Sequence, residues 1–259
     1  MEDNKIIDGN CWVAYFDILG FKNEIYLNRG QLSVLAYMYK EVIEHINGKL
    51  KNIPSFRSLY GCSWFSDTFL LYSLDDSIKS YNTVYSAAKQ FFDYMTITKK
   101  WLLRGAIAVG DFYVDMNNSI YLGEALIDAY NFTEKQDWIG MVLTPTAYEK
   151  LSTHGHAFTY VDGLCFREYV VPVKRRIESN GLEQMVLDSE RLWAYHYRKR
   201  DPRRDIIMNS MRRVCSKGDG LAISHRRKYD NTLRFYETPC KCSVCSVPSV
   251  AIKERLLCG

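Results

Sequence analysis

The sequence predicts an α+β protein in which helices pack on one face of a mainly antiparallel sheet. Two long segments repeat apolar residues at helical spacing, and several short β-branched or aromatic runs are bounded by turn-forming residues. These segments follow one another in the order β-α-β-β-α-β along the first 120 or so residues. That order is typical of a ferredoxin-like or palm-type sandwich.

The first half of the predicted core runs from residue 12 to residue 73. Residues 12–18 form an apolar strand that ends at "LGF". Residues 31–50 place apolar side chains along one side of a helix. Residues 56–73, "FRSLYGCSWFSDTFLLYS", are two strands joined by a tight turn at Ser66 and Asp67, which are both turn-forming residue types.

The second half adds a helix over residues 76–99 and a strand in "WLLRGAIAVGDFYVD". "IYLGEALIDAYNFTEKQ" reads as strand, glycine and helix, and "WIGMVLTP" is a strand that Pro145 stops. Strands are expected near 156–161 and 164–173, and helices in the arginine-rich stretch 190–235. We therefore predict one domain over residues 1–185 and a basic, cysteine-containing C-terminal appendage over residues 186–259.

Composition and charge describe an ordinary globular chain with a basic end. No apolar run is long enough to span a membrane, and the polar start "MEDNKIIDGN" is unlike a signal peptide, so a cytoplasmic location with reduced cysteines is expected. Residues 1–150 carry a net charge of −4 and residues 151–259 a net charge of +8. The basic part either meets an anionic ligand or partner or is a solvated face.

Cysteines near the C-terminus raise the question of a zinc site. "CKCSVC" places Cys240, Cys242 and Cys245 together, and Cys258 follows later. The spacing differs from a paired CxxC zinc knuckle, so free thiols are favoured over structural zinc. His154 and His156 are expected in a loop and show no spacing typical of metal ligands.

Two carboxylates are the strongest candidates for a functional site. Asp17 interrupts the apolar run "VAYFDILGFK", and a buried charge there needs a partner. Asp67 lies at the tip of the predicted hairpin, and the β-α-β-β order makes that hairpin a neighbour of the first strand. The two carboxylates are then expected to converge, and a pair of Mg²⁺ or Mn²⁺ ions would neutralise them. Alternatively, Asp67 is a turn residue and Asp17 caps a segment or pairs with a basic side chain.

Four motifs in this order resemble the class III nucleotidyl cyclases. The motifs are "FDILGFKN", "FSDTFLLYS", "RGAIAVGDFY" and "YLGEALIDAY", within roughly residues 12–145, and their wording is most similar to the pyrimidine cyclases of bacterial anti-phage Pycsar systems. The resemblance implies a homodimer with its sites at the subunit interface. It implies two metal ions held by Asp17, Asp67 and the backbone carbonyl of Ile18. It also implies that the 3′-hydroxyl of a nucleoside triphosphate attacks its own α-phosphorus and pyrophosphate leaves.

Departures from the purine cyclases concern the base. Where those enzymes commonly place a lysine and an aspartate, this chain has Ser63 and Ile120. Aromatic residues crowd the same strands at Tyr60, Trp64 and Tyr121. This set favours a pyrimidine base, although packing of the sheet would also explain the aromatic residues.

A second departure concerns the helix after Gly123. Ile127 and Asn131 stand where purine cyclases carry an asparagine and an arginine that contact the ribose and stabilise the transition state. Charge that develops on the α-phosphate still needs a donor, and the candidate is Arg104 in the apolar strand "LLRGAIAV". An ion pair of Arg104 with a carboxylate, or a C-terminal arginine in the catalytic role, are the alternatives.

The sequence therefore predicts a pyrimidine cyclase that converts UTP, or CTP, to the 3′,5′-cyclic nucleotide. Such a product would gate an effector in anti-phage defence, and no nucleic-acid or membrane partner is expected. An adenylyl or guanylyl cyclase, or an inactive nucleotide-binding regulatory module, are the alternatives. Asp17, Asp67 and Arg104 are the predicted catalytic residues. The predicted nucleotide-binding residues are Phe16, Gly20, Phe21, Tyr60, Ser63, Trp64 and Asn131.

Overall fold

A computed structural model describes residues 6–27, 30–51, 60–153, 165–179, 182–197, 201–216 and 223–238. The strands are β1 (Ile6–Ile18), β2 (Tyr60–Phe65), β3 (Thr68–Ser73), β4 (Leu103–Asp115), β5 (Ile120–Leu122), β6 (Gly140–Leu143), β7 (Cys165–Ser179) and β8 (Leu182–His196). The helices are α1 (Phe21–Leu27), α2 (Leu32–Leu50), α3 (Ile78–Asp93), α4 (Glu124–Lys135), α5 (Pro145–Thr153), α6 (Pro202–Ser216) and α7 (Ile223–Glu237). A π-helical segment, Tyr94–Lys99, extends α3.

The strands form one eight-stranded sheet in the order β2-β3-β1-β4-β6-β8-β7, and β5 pairs with β4. β4 and β6 are parallel, while the other pairs are antiparallel. The four strands β2-β3-β1-β4, with α2 and α3 as crossovers, have the ferredoxin-like order. The predicted α+β fold is therefore confirmed, including the hairpin that turns at Ser66 and Asp67.

Helices cover both faces of the sheet, whereas the sequence predicted helices on one face. Alternate residues of β1 point to opposite faces, and every residue from Cys11 to Phe16 is buried. Trp12, Ala14 and Phe16 face the core under α2 and α3, while Cys11, Val13 and Tyr15 face a second core under α4. A central strand that is apolar on both faces needs cover on both sides.

The C-terminal part differs most from the sequence prediction. Residues 182–196 form β8, which pairs with β7 along its full length and with β6 at Trp193 and Ala194. The helices expected from residue 190 begin at Pro202 instead, and α5 was not predicted. The predicted domain boundary at residue 185 falls within β8, and the division into two domains stays a prediction. The predicted strand at 156–161, His154, His156 and the four C-terminal cysteines lie outside the described residues.

A buried carboxylate at the end of α3 ties α6 to the end of β8. Asp93 at the end of α3 accepts hydrogen bonds from Lys89 (3.0 Å) and from Arg203 of α6 (2.8 Å). The hydroxyls of Tyr195 (3.3 Å) and Tyr197 also donate to it. Four donors on one carboxylate offset the cost of burying its charge.

None of the described helices is long and apolar enough to cross a membrane. Cys11 and Cys62 are free thiols, and burial raises the pKa of the Cys11 thiol to about 12.

Candidate active site

Asp17 has a basic partner in the adjacent strand. It is the last but one residue of β1 and stands opposite Thr68 of β3 and Arg104 of β4. The Arg104 Nε donates to the Asp17 Oδ2 over 2.7 Å, and the two side chains are 7 % and 15 % exposed. This ion pair explains how an apolar strand can hold a carboxylate.

Arg104 is also fastened to the end of α4. Its Nη1 donates to the carbonyl oxygens of Glu134 (2.6 Å) and Gln136 (3.2 Å), and its Nη2 donates to the Glu134 carboxylate (2.8 Å). Four of its five N–H groups are therefore engaged by protein oxygens. The guanidinium holds β1, β4 and α4 together and fixes the position of Asp17.

Asp67 lies beside Asp17 because of the hairpin turn. Ser66 adopts a left-handed backbone conformation with φ of 55°, which reverses the chain between β2 and β3. The carbonyl oxygen of Asp67 accepts from the backbone N–H of Ile18 over 2.9 Å. The structure thus places the backbone of Asp67 beside Ile18, the residue after Asp17, while convergence of the two carboxylates on a metal stays a prediction.

The donor set suits a hard divalent cation. Within the described ranges, no protein hydrogen bond to the half-exposed Asp67 carboxylate or to the Asp17 Oδ1 is found. The described residues contain no group of three His, Cys, Asp or Glu side chains that would hold a metal ion. Two carboxylates and a backbone carbonyl are oxygen ligands of the kind that Mg²⁺ and Mn²⁺ prefer, so the residues present fit such ions.

At the end of β1 and in the turn after it, backbone groups rather than side chains are available to the site. The side chains of Phe16 and Phe21 are buried in the core, where Phe16 packs against Phe91 with ring centroids 5.0 Å apart. Gly20 has a φ of 81°, and a side chain there would meet no neighbour within 4 Å. Glycine is thus favoured by the turn conformation, which leaves open space above the backbone.

Ser63 and Tyr121 are brought together on the face that carries Asp17. Their hydroxyls share a hydrogen bond. Ser63 stands opposite Leu70, which stands opposite Tyr15, so these side chains share the face of the sheet that also carries Asp17.

Trp64 lies on the other face of the sheet. Its ring stacks on Tyr39, with centroids 3.7 Å apart and planes 12° apart, and packs against Phe69 and Phe91. Tyr39 is held there by a hydrogen bond from its hydroxyl to the Ser66 carbonyl (2.7 Å). The structure therefore does not bring Trp64 together with Asp17.

Two more of the predicted nucleotide-binding residues, Asn131 and Tyr60, remain to be placed. Asn131 is exposed on α4, one turn after Ile127, which is also exposed. The backbone of Tyr60 begins β2, but its side chain lies outside the described part of the chain.

Sequence reasoning missed two polar groups next to Asp17. The Tyr15 hydroxyl and the Thr68 Oγ1 are 3.0 Å apart, on the face of the sheet that carries Asp17. Burial raises the pKa of Tyr15. Strand alternation could have placed Tyr15 on the Asp17 face. Glu134, the second partner of Arg104, could not have been found from the sequence, because α4 meets β4 only in the folded chain.

The chain is similar in fold to solved cyclase structures. The adenylyl cyclase CyaB from P. aeruginosa aligns over 76 % of this chain and 98 % of its own length, with 13 % identity and a TM-score of 0.49. The catalytic core of a rhodopsin-guanylyl cyclase with converted specificity, in complex with ATPalphaS, aligns over 74 % and 99 %, with 10 % identity and a TM-score of 0.49. An adenylate/guanylate cyclase/hydrolase from Silicibacter pomeroyi aligns over 74 % and 97 %, with 11 % identity and a TM-score of 0.44.

The remaining comparisons bring no family assignment. No protein-family model matches the chain, and no curated protein matches it. At TM-scores below 0.5, the structural likenesses assign neither an activity nor a substrate to this chain.

Proposed function

We propose that this chain is a nucleotidyl cyclase of the class III type that converts a pyrimidine nucleoside triphosphate to its 3′,5′-cyclic monophosphate and pyrophosphate. One observation carries the proposal: Asp67 lies against β1 at Ile18, directly beside Asp17, with an Ile18 N–H to Asp67 carbonyl distance of 2.9 Å. The four motifs that resemble the cyclases contain both aspartates.

The chain's own residues have distinct parts in this reaction. Asp17, Asp67 and the Ile18 carbonyl would hold two Mg²⁺ or Mn²⁺ ions, and such ions would supply activation of the 3′-hydroxyl and neutralisation of the phosphate charge. Arg104 holds the Asp17 carboxylate in place. Because four of its N–H groups already have acceptors, positioning suits Arg104 better than direct contact with the α-phosphate. The turn at Gly20 presents backbone N–H groups to the phosphates.

Base selection is assigned to the Asp17 face of the sheet. Ser63 and Ile120 stand where purine cyclases carry a lysine and an aspartate, and the hydrogen-bonded hydroxyls of Ser63 and Tyr121 are groups that can donate or accept. This supports a pyrimidine, and the resemblance to Pycsar cyclases favours UTP over CTP. The cyclic product is then a signal in anti-phage defence in the cytoplasm, and a cyclic-nucleotide-gated effector is the functional partner.

The active form is a homodimer with its sites at the interface. Four large apolar side chains of β5 and α4 are exposed: Ile120, Leu122, Ile127 and Tyr130. Tyr130 packs edge-on against Tyr15 of the Asp17 face, with ring centroids 5.6 Å apart. A second copy would bury these side chains and enclose the open side of the site.

The deciding experiment incubates the purified protein with each of the four nucleoside triphosphates and Mn²⁺ and resolves the products. Cyclic UMP or cyclic CMP is expected, and Asp67→Asn should abolish it. Asp205→Asn, a carboxylate change at an exposed site on α6, is the matched control and should retain activity. Faster cyclisation of ATP or GTP than of both pyrimidines would replace the pyrimidine assignment by a purine one.

An inactive nucleotide-binding regulatory module is the second candidate. Neither Ile127 nor Asn131 supplies the positive charge that cyclases place on this helix. Binding of a nucleoside triphosphate without any cyclic product, by protein that is folded and loaded with Mn²⁺, would favour this module.

A further inference from the structure

The candidate metal ligand Asp17 is already paired with a cationic side chain. The Arg104 Nε donates to the Asp17 Oδ2 over 2.7 Å, and both side chains are mostly buried. A carboxylate whose charge is neutralised by a guanidinium attracts a divalent cation less strongly than a carboxylate with an unbalanced charge. If Asp17 binds a metal ion, another negative charge has to offset that of Arg104.

The Glu134 carboxylate lies where such an offset is needed. Its Oε1 accepts from the Arg104 Nη2 over 2.8 Å. Nε and Nη2 belong to one planar guanidinium, so Asp17 and Glu134 share a single cation. Arg104 with Asp17 alone would form a neutral pair, whereas the two carboxylates and one guanidinium together keep one net negative charge.

The neighbours of Glu134 leave its charge directed at Arg104. The next residue on α4, Lys135, has its own partner, because its Nζ pairs with the Glu190 carboxylate over 2.6 Å. Among the described residues, Arg104 is the only ion-pair partner found for Glu134. The Glu134 side chain is 39 % exposed, so its burial contributes little to the core and its charge is the feature that needs a role.

The end of α4 is fixed without the Glu134 side chain. The Thr133 Oγ1 donates to the Tyr15 carbonyl (3.3 Å), and the Gln136 Nε2 donates to the Gly105 carbonyl (3.0 Å). These bonds tie the residues on both sides of Glu134 to β1 and β4. Changes of the Glu134 side chain are therefore expected to keep the fold, and they test its charge by itself.

We propose that Glu134 is a positioning residue for the metal site, which acts through Arg104 and leaves the Asp17 carboxylate an unbalanced negative charge for a divalent cation. This inference rests on the proposed function only for the metal site at Asp17, and not for the reaction or the nucleotide. Because the charge acts on a doubly charged ion, its removal should weaken cation binding by about 10-fold.

The experiment titrates the full-length protein with Mn²⁺ alone and measures the free ion by electron paramagnetic resonance. Asp17→Asn identifies the site, since it should abolish this binding. Glu134→Gln keeps an oxygen acceptor for Arg104 but removes the charge, and it should raise the Kd for Mn²⁺ by about 10-fold. Glu134→Met removes both the charge and the acceptor and should raise the Kd at least as much.

Glu41→Gln is the matched control. The Glu41 carboxylate on α2 is 38 % exposed and pairs with Lys99 over 2.6 Å, so it resembles Glu134 in exposure and pairing. α2 covers the face of the sheet opposite to Asp17. The Kd for Mn²⁺ should therefore stay within about 2-fold of the parent value in this variant.

The outcomes separate this inference from the proposed function. An unchanged Kd in Glu134→Gln, while Asp17→Asn abolishes Mn²⁺ binding, would overturn the inference and leave the cyclase intact. Weaker Mn²⁺ binding by Glu134→Gln, without a cyclic product from any nucleoside triphosphate, would support the inference and reject the cyclase. Mn²⁺ binding that does not depend on Asp17 would overturn both the inference and the metal assignment.

Kinetics and stability distinguish this role from a merely structural one. In an active enzyme, Glu134→Gln should raise the Mn²⁺ concentration for half-maximal rate by about 10-fold and leave kcat at saturating Mn²⁺ near the parent value. A lower urea midpoint and a lower kcat, with an unchanged Kd for Mn²⁺, would show that Glu134 only stabilises the fold and would overturn the inference.

Discussion

Replacing Arg104 by methionine should destabilise the fold strongly. The change removes a guanidinium that is 7 % exposed and donates to Asp17, to the Glu134 carboxylate and to two carbonyl oxygens. The Asp17 carboxylate then stays buried without its counter-charge. Removing one partner of a buried pair costs about 3–5 kcal/mol, so we expect a loss of that size in the free energy of unfolding.

Urea denaturation followed by tryptophan fluorescence measures this loss, with far-ultraviolet circular dichroism as a second probe. A double-mutant cycle with Asp17→Asn isolates the pair. The double variant should be more stable than the sum of the single changes predicts, by about 1–3 kcal/mol, because the neutral amide no longer needs the cation. Arg191→Met is the matched control: its side chain is 69 % exposed and pairs with Glu168 at 3.2 Å, so about 0–1 kcal/mol is expected.

Two results would refute the reasoning about Arg104. One is a loss below about 1 kcal/mol in Arg104→Met, similar to that of the exposed control. The other is strict additivity of Arg104→Met and Asp17→Asn, which would mean that the two side chains do not stabilise each other in solution.

Four further predictions follow from individual sites. Asp67→Asn should lower turnover by about 100-fold or more without moving the urea midpoint, and near-parental turnover would contradict a role in metal binding. Leu122→Glu should convert the proposed dimer to monomer in sedimentation equilibrium; a protein that is monomeric before the change would exclude the dimer. Cys11 should resist iodoacetamide at pH 8 in the folded state, because a pKa of about 12 leaves about 10³-fold less thiolate than in an ordinary thiol; labelling mapped by mass spectrometry at the rate of the urea-unfolded chain would contradict this. Tyr197→Phe should cost about 1–2 kcal/mol in urea denaturation, because Asp93 loses a buried donor; no change would show that the remaining donors suffice.

The sequence by itself determined the central part of the fold. The helical spacing of apolar residues predicted α2, and short β-branched and aromatic runs bounded by turn-forming residues predicted β1, the β2–β3 hairpin and β4. The turn at Ser66 and Asp67 could be predicted from residue type alone, since both residues favour reversal of the chain. The order of these elements was enough to predict that Asp17 and Asp67 are neighbours.

Periodicity failed where pairing partners are distant. The stretch 190–196 carries charged and aromatic residues in an order that suits a helix as well as a strand. Its pairing with β7 and β6 makes it a strand, and the β6 partners lie about 50 residues earlier in the chain. Local sequence cannot report such contacts, because long-range pairing overrides weak local preference.

The tertiary structure alone decided which groups meet around Asp17. An arginine in an apolar strand predicts only that some acceptor lies near, but the register of β1 and β4 puts Arg104 opposite Asp17. Likewise, Trp64 and Ser63 are adjacent in sequence and share the same β-strand, so the pleat sends their side chains to opposite faces. Asp137 likewise anchors both β7, through the Pro172 carbonyl, and α7, through Arg227, and the contact with Arg227 spans 90 residues of the chain.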